Sequence, residues 1–277
     1  MEWGTVTSLL KIAATVAIGL PLLVYLAQDA LIFYRQPLPE SRRAEVARRF
    51  PAVREVFIQS ADGTRLHAWH AKAPDTGAEN APLVLYFGGN AEEVSWMLEG
   101  LGEAPGVAWL LADYRGYGLS EGSPGEAALV SDAIQWFDHA VKFPEVDARR
   151  VFAFGRSLGS GVAVALAAAR PLAGLILATP YDSLAAVAKH YYWYLPVDWL
   201  LKHRFDSIAR APMLKQPLLC LIAERDEVIP PVHGERLFDA WGGVKRKFVL
   251  QDAGHNSTDA HPMFWPPIRE FLAQKVD

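Results

Sequence analysis

Short apolar runs that alternate with helical patterns limit this chain to few folds. Leu83–Phe87 is unbroken in its apolar character, as expected for a strand buried on both faces of a parallel sheet. Val107–Ala112, Val151–Phe154, Leu175–Ala178, Leu218–Ala223 and Lys247–Leu250 are runs of the same kind. Helical patterns fall between and after them, over Ala91–Leu101, Glu126–Val141, Leu158–Ala169, Pro231–Trp241 and Pro262–Lys275. Prolines 124, 231 and 262 stand at or just before these starts, where a missing N–H costs nothing. Such alternation predicts right-handed βαβ units and an α/β architecture, a mostly parallel central sheet with helices on both faces. Ahead of it, Val53–Gln59 and Thr64–Ala73 flank the turn Ala61-Asp62-Gly63 and predict an antiparallel hairpin; Pro74–Pro82 is a polar loop. Between Tyr181 and Pro212 an aromatic-rich helical insertion interrupts the rhythm, with Tyr191-Tyr192-Trp193-Tyr194 and Trp199.

The amino terminus has another character. Ile12–Ala27 carries no charge and is almost wholly apolar, and back to Thr5 the stretch is broken only by Lys11. A membrane-spanning helix needs about 20 such residues, tolerates Pro21, and lets a terminal lysine snorkel to the headgroups. A cleaved signal peptide is the rival, but Leu26-Ala27-Gln28-Asp29-Ala30 is a poor cleavage site. The expectation is a single-pass anchor over residues 1–35, a basic linker and helix over 36–52, and a catalytic domain over 53–277. Arg35, Arg42, Arg43, Arg48 and Arg49 follow the span, against Lys11 before it, so the positive-inside bias favours the cytoplasmic face. The same arginines also fit a solvated helix face or a contact with anionic headgroups.

Composition excludes several functions. With 27 basic and 31 acidic side chains the formal charge is −4, which leaves no positive field for a polyphosphate, so no nucleic-acid partner is expected. A lone cysteine, Cys220, rules out an intramolecular disulfide. His67 and His70 fall on opposite faces of a strand, and no G-x-G-x-x-G follows a strand, so neither a metal nor a cofactor is expected.

The pattern G-x-S-x-G occurs twice, at Gly118–Gly122 and at Gly155-Arg156-Ser157-Leu158-Gly159. A nucleophile elbow needs a strand entering, a sharp turn whose glycines avoid clashes, and a helix leaving. Ser157 has Val151–Phe154 before it and the alanine-rich Leu158–Ala169 after it; Ser120 sits in a glycine-rich loop that runs into Pro124. Ser157 is therefore the candidate nucleophile. A serine hydroxyl needs a histidine base and an acid to orient it, in the order serine, acid, histidine for this arrangement. His255 follows the last strand in Ala253-Gly254-His255-Asn256, where ligands meet such sheets; His203 lies in the insertion and His233 on a helix, where an exposed histidine is expected. Asp226 directly follows Leu218–Ala223 and is the preferred acid, with Glu224, Glu227 and Asp252 as rivals. The oxyanion requires two backbone donors: the N–H of Leu158, and one from Gly88-Gly89-Asn90, with Asn90 favoured and Gly89 as rival.

With these residues in place, the chain resembles an α/β-hydrolase over Val53–Val276. More narrowly, it is similar to the Bem-like membrane-anchored serine hydrolases, a group related to eukaryotic protein depalmitoylases. The resemblance rests on Phe87-Gly88-Gly89-Asn90-Ala91, Asp113-Tyr114-Arg115-Gly116-Tyr117-Gly118, the elbow, Thr179-Pro180-Tyr181-Asp182-Ser183-Leu184, Asp226-Glu227-Val228-Ile229-Pro230 and Gly254-His255-Asn256. It implies an α/β-hydrolase fold, here preceded by the one transmembrane helix; the aromatic insertion over 181–212 reads as a small helical lid with an apolar acyl pocket next to the membrane, its alternative being core packing around the sheet edge. It also implies Ser157, Asp226 and His255 as the triad, Asn90 and Leu158 as oxyanion donors, and a structural role for the Asp113 loop. The family carries histidine where this chain has Gly88. The expected reaction is acyl transfer to water from a small-molecule ester, a lipid or an acylated substrate at the membrane. A peptidase on the same triad, acyl transfer to an alcohol, and a non-catalytic scaffold are the alternatives.

Overall fold

The computed structural model describes residues 3–73 and 80–274. Residues 74–79 of the expected polar loop, Lys275 at the end of the expected last helix, and Val276 lie outside it. Helix α1 (Trp3–Ile32) and the short basic helix α2 (Glu40–Arg49) precede an eight-stranded sheet. Its strands are β1 (Val53–Gln59), β2 (Arg65–Ala71), β3 (Ala81–Phe87), β4 (Ala108–Ala112), β5 (Val146–Arg156), β6 (Gly174–Ala178), β7 (Leu218–Ala223) and β8 (Lys245–Leu250). The order is β1-β2-β4-β3-β5-β6-β7-β8. β1 and β2 pair antiparallel, β2 meets β4 antiparallel, and every pairing from β4 to β8 is parallel. The expected hairpin and mostly parallel sheet are both present.

Side chains alternate across each strand, so the fully buried strands serve two cores at once. Leu83, Leu85 and Phe87 of β3 pack with Leu129 and Trp136 of α3 (Glu126–Ala140) and Val162 and Leu166 of α4 (Leu158–Ala169). Val84 and Tyr86 turn the other way, toward Val46 of α2, Leu98 of a 3₁₀ helix (Val94–Glu103) and Ile268 of α9 (Trp265–Ala273). The expected α-helix from Ala91 is thus a 3₁₀ segment that starts later, because Ala91 takes a left-handed φ of 59° and Glu93 caps Ser95. α5 (Leu184–Tyr191), α6 (Val197–Leu200) and α7 (Ser207–Arg210) make up the insertion, and α8 (Pro231–Ala240) covers β7.

Buried polar groups pin the antiparallel edge. The guanidinium of Arg115 donates two bonds to Asp132, at 2.6 and 2.8 Å, and another to Ser60. His67 Nδ1 lies 2.6 Å from Asp113, and Ser120 Oγ accepts the His67 N–H while donating to the Asp113 carbonyl. Ser120 is thus a buried structural residue. Gly118, at φ 53°, holds a place where a Cβ would overlap the Asp113 carboxylate. Cys220 is buried in β7, and burial pushes its thiol up to about 12.

Among the described residues no helix is long and apolar enough to cross a membrane. The carboxy-terminal turns of α1 and the segment after them pack against the sheet domain. Phe33 and Leu38 are buried, Gln28 is 4% exposed, and the segment after α1 exchanges backbone bonds with Gly118. The arginines of α2 are largely spoken for: Arg43 forks onto Glu55 at 2.6 and 2.8 Å, Arg49 pairs with Glu45 and Glu99, and buried Arg42 bonds Ser95.

His70, 2% exposed in β2 and 4.5 Å from the ring of Phe143, is lowered to about 4, chiefly by burial. An unfolded histidine titrates near 6.5, so between these values the unfolded chain binds the extra proton. His70 therefore contributes stability that is complete above about 6.5 and is lost as pH falls toward 4, by about 3 kcal/mol. Urea melts across this window should show a shallower pH dependence for His70→Phe than for wild type.

Candidate active site

The order of the sheet reverses at β3 and β5, which places the loops after their carboxyl ends around one crevice. β5 delivers Ser157, which adopts φ 49° and ψ −116°. Its N–H donates to the Ala178 carbonyl at 2.9 Å, and its own carbonyl accepts from Ser160 Oγ at 2.7 Å. The turn closes only with glycine on both sides. A Cβ on Gly155 would overlap the Gly159 carbonyl, and one on Gly159 would overlap the Phe87 carbonyl.

The structure brings Ser157, His255 and Asp226 together. Ser157 Oγ stands 2.9 Å from His255 Nε2, and His255 Nδ1 lies 2.9 and 2.8 Å from the two oxygens of Asp226. A carboxylate facing Nδ1 fixes the proton there and leaves the Nε2 lone pair for the serine hydroxyl. The Asp226 carboxylate also accepts the N–H groups of Val228 and Ile229, at 2.9 and 2.7 Å. All three residues are buried, at 9%, 6% and 8% exposure for Ser157, His255 and Asp226. The rival acids stand elsewhere. Glu224 accepts the Asp252 N–H, Asp252 pairs with Arg225 on a left-handed turn, and Glu227 accepts the His255 N–H at 3.3 Å.

His233 departs from the expected exposed residue. It is 2% exposed, with Nδ1 2.9 Å from Asp182, because α8 turns it inward against the start of the insertion. His203, the other rival base, accepts the Glu126 N–H at Nδ1 and donates from Nε2 to Asp29 of α1 at 3.0 Å, away from the serine.

Asn90 joins three segments through its side chain: Oδ1 accepts from the N–H of Tyr34, the N–H of Ala91 and the hydroxyl of Tyr117, at 2.8, 3.0 and 3.0 Å. Three residues that sequence reasoning left without a role surround this loop. Glu92 accepts the Gly89 N–H at 2.8 Å and the Tyr86 hydroxyl at 2.5 Å, and Arg156 stands 3.7 Å from it. Burial beside Glu92 drives the Tyr86 phenol far above its usual range. A Cβ at Gly88 would meet Glu92 and Val94 at 3.1 Å, so Glu92 occupies space that a side chain at position 88 would need. The signal for Arg156 was its place inside the elbow; Glu92 carried none.

Two cavities meet at Ser157. One, about 870 Å³, has a mixed wall, with Glu92, Arg156 and Asp259 beside Trp96, Phe264 and Trp265. The other, about 590 Å³, is apolar and runs from Ser157 and Leu158 between α1 and the insertion.

Gly159→Ala forces a methyl into the β3 backbone, so it should destabilise the fold by about 3 kcal/mol, read as a lower denaturation midpoint with the slope unchanged.

Comparison with known proteins bears on the family and the fold. The family model described as serine aminopeptidase, S33, matches residues 79–208. An uncharacterized protein of Mycobacterium tuberculosis is 36% identical over 272 residues, covering 95% of this chain and 93% of that one. Protein bem46 of Schizosaccharomyces pombe is 30% identical over 210 residues, covering 71% and 69%. The lysophosphatidylserine lipase ABHD12 of Danio rerio is 30% identical over 223 residues, covering 66% of this chain and 57% of that protein. Among solved structures, an acetyl xylan esterase from Paenibacillus sp. R4 superposes with a TM-score of 0.64 at 20% identity, over 81% of this chain and 84% of that one. The chain belongs to the α/β-hydrolase family that includes bem46, and it is a hydrolase of that superfamily.

Proposed function

We propose that this protein is a membrane-anchored serine hydrolase that cleaves carboxylic ester or thioester bonds of lipid-like or acylated substrates. The observation that carries the reading is the unbroken hydrogen-bond line from Ser157 through His255 to Asp226. Ser157 Oγ attacks the carbonyl carbon while its proton passes to His255 Nε2, and Asp226 stabilises the imidazolium that forms. The tetrahedral intermediate collapses, the C–O or C–S bond breaks, and His255 returns the proton to the leaving alcohol or thiol. Water, deprotonated by His255, then attacks the acyl-enzyme; the acid departs and Ser157 regains its proton.

For the oxyanion, the backbone N–H of Leu158 opens helix α4, where the amide dipoles favour negative charge. The second donor is the N–H of Asn90. Gly89, its rival, already gives its N–H to Glu92.

The membrane reading draws on the surface of α1 and the insertion. Leu22, Leu23, Leu26 and Leu31 of α1 are 54–69% exposed, while Trp193 and Trp199 on the insertion are 81% and 89% exposed. Apolar residues so displayed mark a membrane or partner surface, and tryptophan favours the bilayer interface. The run of arginines after α1 favours the cytoplasmic face, although Arg43 and Arg49 are also explained by their glutamate partners. An aminopeptidase reading draws on the matching family model and on Glu92 and Asp259, which would suit a substrate amine.

Ser157→Ala should lower ester hydrolysis on the order of 10³-fold or more and abolish labelling by a fluorophosphonate. Equal activity in the two proteins would sink the acyl-enzyme. Esters should outpace aminoacyl amides of the same chain, and the reverse preference would establish the peptidase.

A further inference from the structure

The apolar cavity has an unexpected wall. On one side stand Leu184, Val187 and Tyr191 of the insertion; on the other stand Val24, Gln28 and Ile32 of the N-terminal helix. Positions 24, 28 and 32 are spaced by four, so they share one face of α1, turned inward, while Leu22, Leu23 and Leu26 face outward.

Specific polar contacts hold the two walls apart at a fixed distance. The Gln28 amide donates to the Leu200 carbonyl at 2.9 Å and accepts the Lys202 N–H at 2.7 Å. Asp29 meets His203 at 3.0 Å, and the Lys202 ammonium lies 4.5 Å from the centre of the Tyr25 ring. At the far side of the cavity the Tyr191 hydroxyl donates to the Glu227 and Val228 carbonyls, at 2.9 and 3.1 Å, tying the insertion to the loop after Asp226. A rigid apolar gap of about 590 Å³ survives between elements that are fastened at both ends. A packed interior would have closed it. One end reaches Ser157 and Leu158. Leu31, 69% exposed, and Tyr192, 51% exposed, line it as well, so it also opens on the outer apolar face of α1.

We propose that this cavity is the acyl-chain site and that the N-terminal helix is one of its walls, so that α1 sets chain-length preference as well as location. The occupant is a linear, unsubstituted acyl chain: the wall is almost wholly apolar, and it begins at the nucleophile, where the acyl carbonyl must sit. The cavity of mixed character beside Arg156 and Glu92 is left for the leaving group. This inference rests on the acyl-enzyme reading of Ser157.

The test compares the full-length protein in detergent micelles on p-nitrophenyl acetate and p-nitrophenyl palmitate. Val24→Trp, which fills the cavity, should lower the palmitate-to-acetate ratio of kcat/KM by about tenfold or more. Leu31→Asp, at an exposed position that the fold tolerates, should give the same selective loss by placing a charge at the mouth. An unchanged palmitate-to-acetate ratio in Leu31→Asp, or in a Val24→Trp protein that still reacts with a fluorophosphonate at the wild-type rate, overturns the proposal. Failure of the underlying chemistry shows itself separately: full activity of Ser157→Ala on the acetate would discard the nucleophile, whatever the chain-length profile.

Discussion

Ser157 sits in a backbone conformation that an L-residue holds only under constraint, and the remainder of the site hangs on that constraint. Its φ of 49° costs on the order of 1–3 kcal/mol, which the surroundings must supply. They do so through the sheet: the Ser157 N–H is held by Ala178 at the end of β6, and α4 presses so closely on β3 that Gly159 touches the Phe87 carbonyl. The strain aims the hydroxyl out of the turn toward His255 and leaves the first N–H of α4 beside it. Parallel pairing makes this possible, because the loops after β3, β5, β7 and β8 all lie on the same side of the sheet.

The same pairing of histidine with aspartate occurs in three buried places with three outcomes. His67 with Asp113 and His233 with Asp182 are both closed, and their second ring nitrogens are buried without a hydrogen-bond partner among the described residues. His255 with Asp226 differs because its second nitrogen faces Ser157. The first two pairs bind strand to loop and helix to insertion. A histidine–carboxylate contact is therefore no sign of catalysis by itself; what matters is which atom the other nitrogen meets. The second G-x-S-x-G teaches the same lesson, since Ser120 is consumed by the backbone of His67 and Asp113.

The N-terminal helix has two unlike faces. Its outer face is apolar and exposed, whereas its inner face carries Gln28, a buried polar residue satisfied by the chain around α6. A buried amide is tolerated when its bonds are made, and here those bonds fix α1 against the insertion. Val24, Gln28 and Ile32 line the cavity that reaches Ser157, and Tyr34 donates its N–H to the very asparagine that shapes the loop after β3.

By itself the sequence determined the class of fold, because runs such as Leu83–Phe87 must be buried on both faces and only helices between parallel strands can cover them. It determined which serine could be strained, since Val151–Phe154 and Leu158–Ala169 flank Ser157 and nothing comparable flanks Ser120. It also ranked His255 and Asp226, through their places after strands. Tertiary structure decided what local order cannot express. The burial of His233 depended on which way α8 rolled. The claim of Glu92 on Gly89 depended on the path of a loop whose Ala91 turns left-handed, and the arginines of α2 met glutamates 12 and 50 residues away. Above all, the cavity wall offered by Val24 and Ile32, with the amide of Gln28 tied off between them, arose only when α1 and the insertion, some 170 residues apart, were brought together. An apolar run looks the same in sequence whether it faces lipid, core or substrate, and only its neighbours in space separate the three.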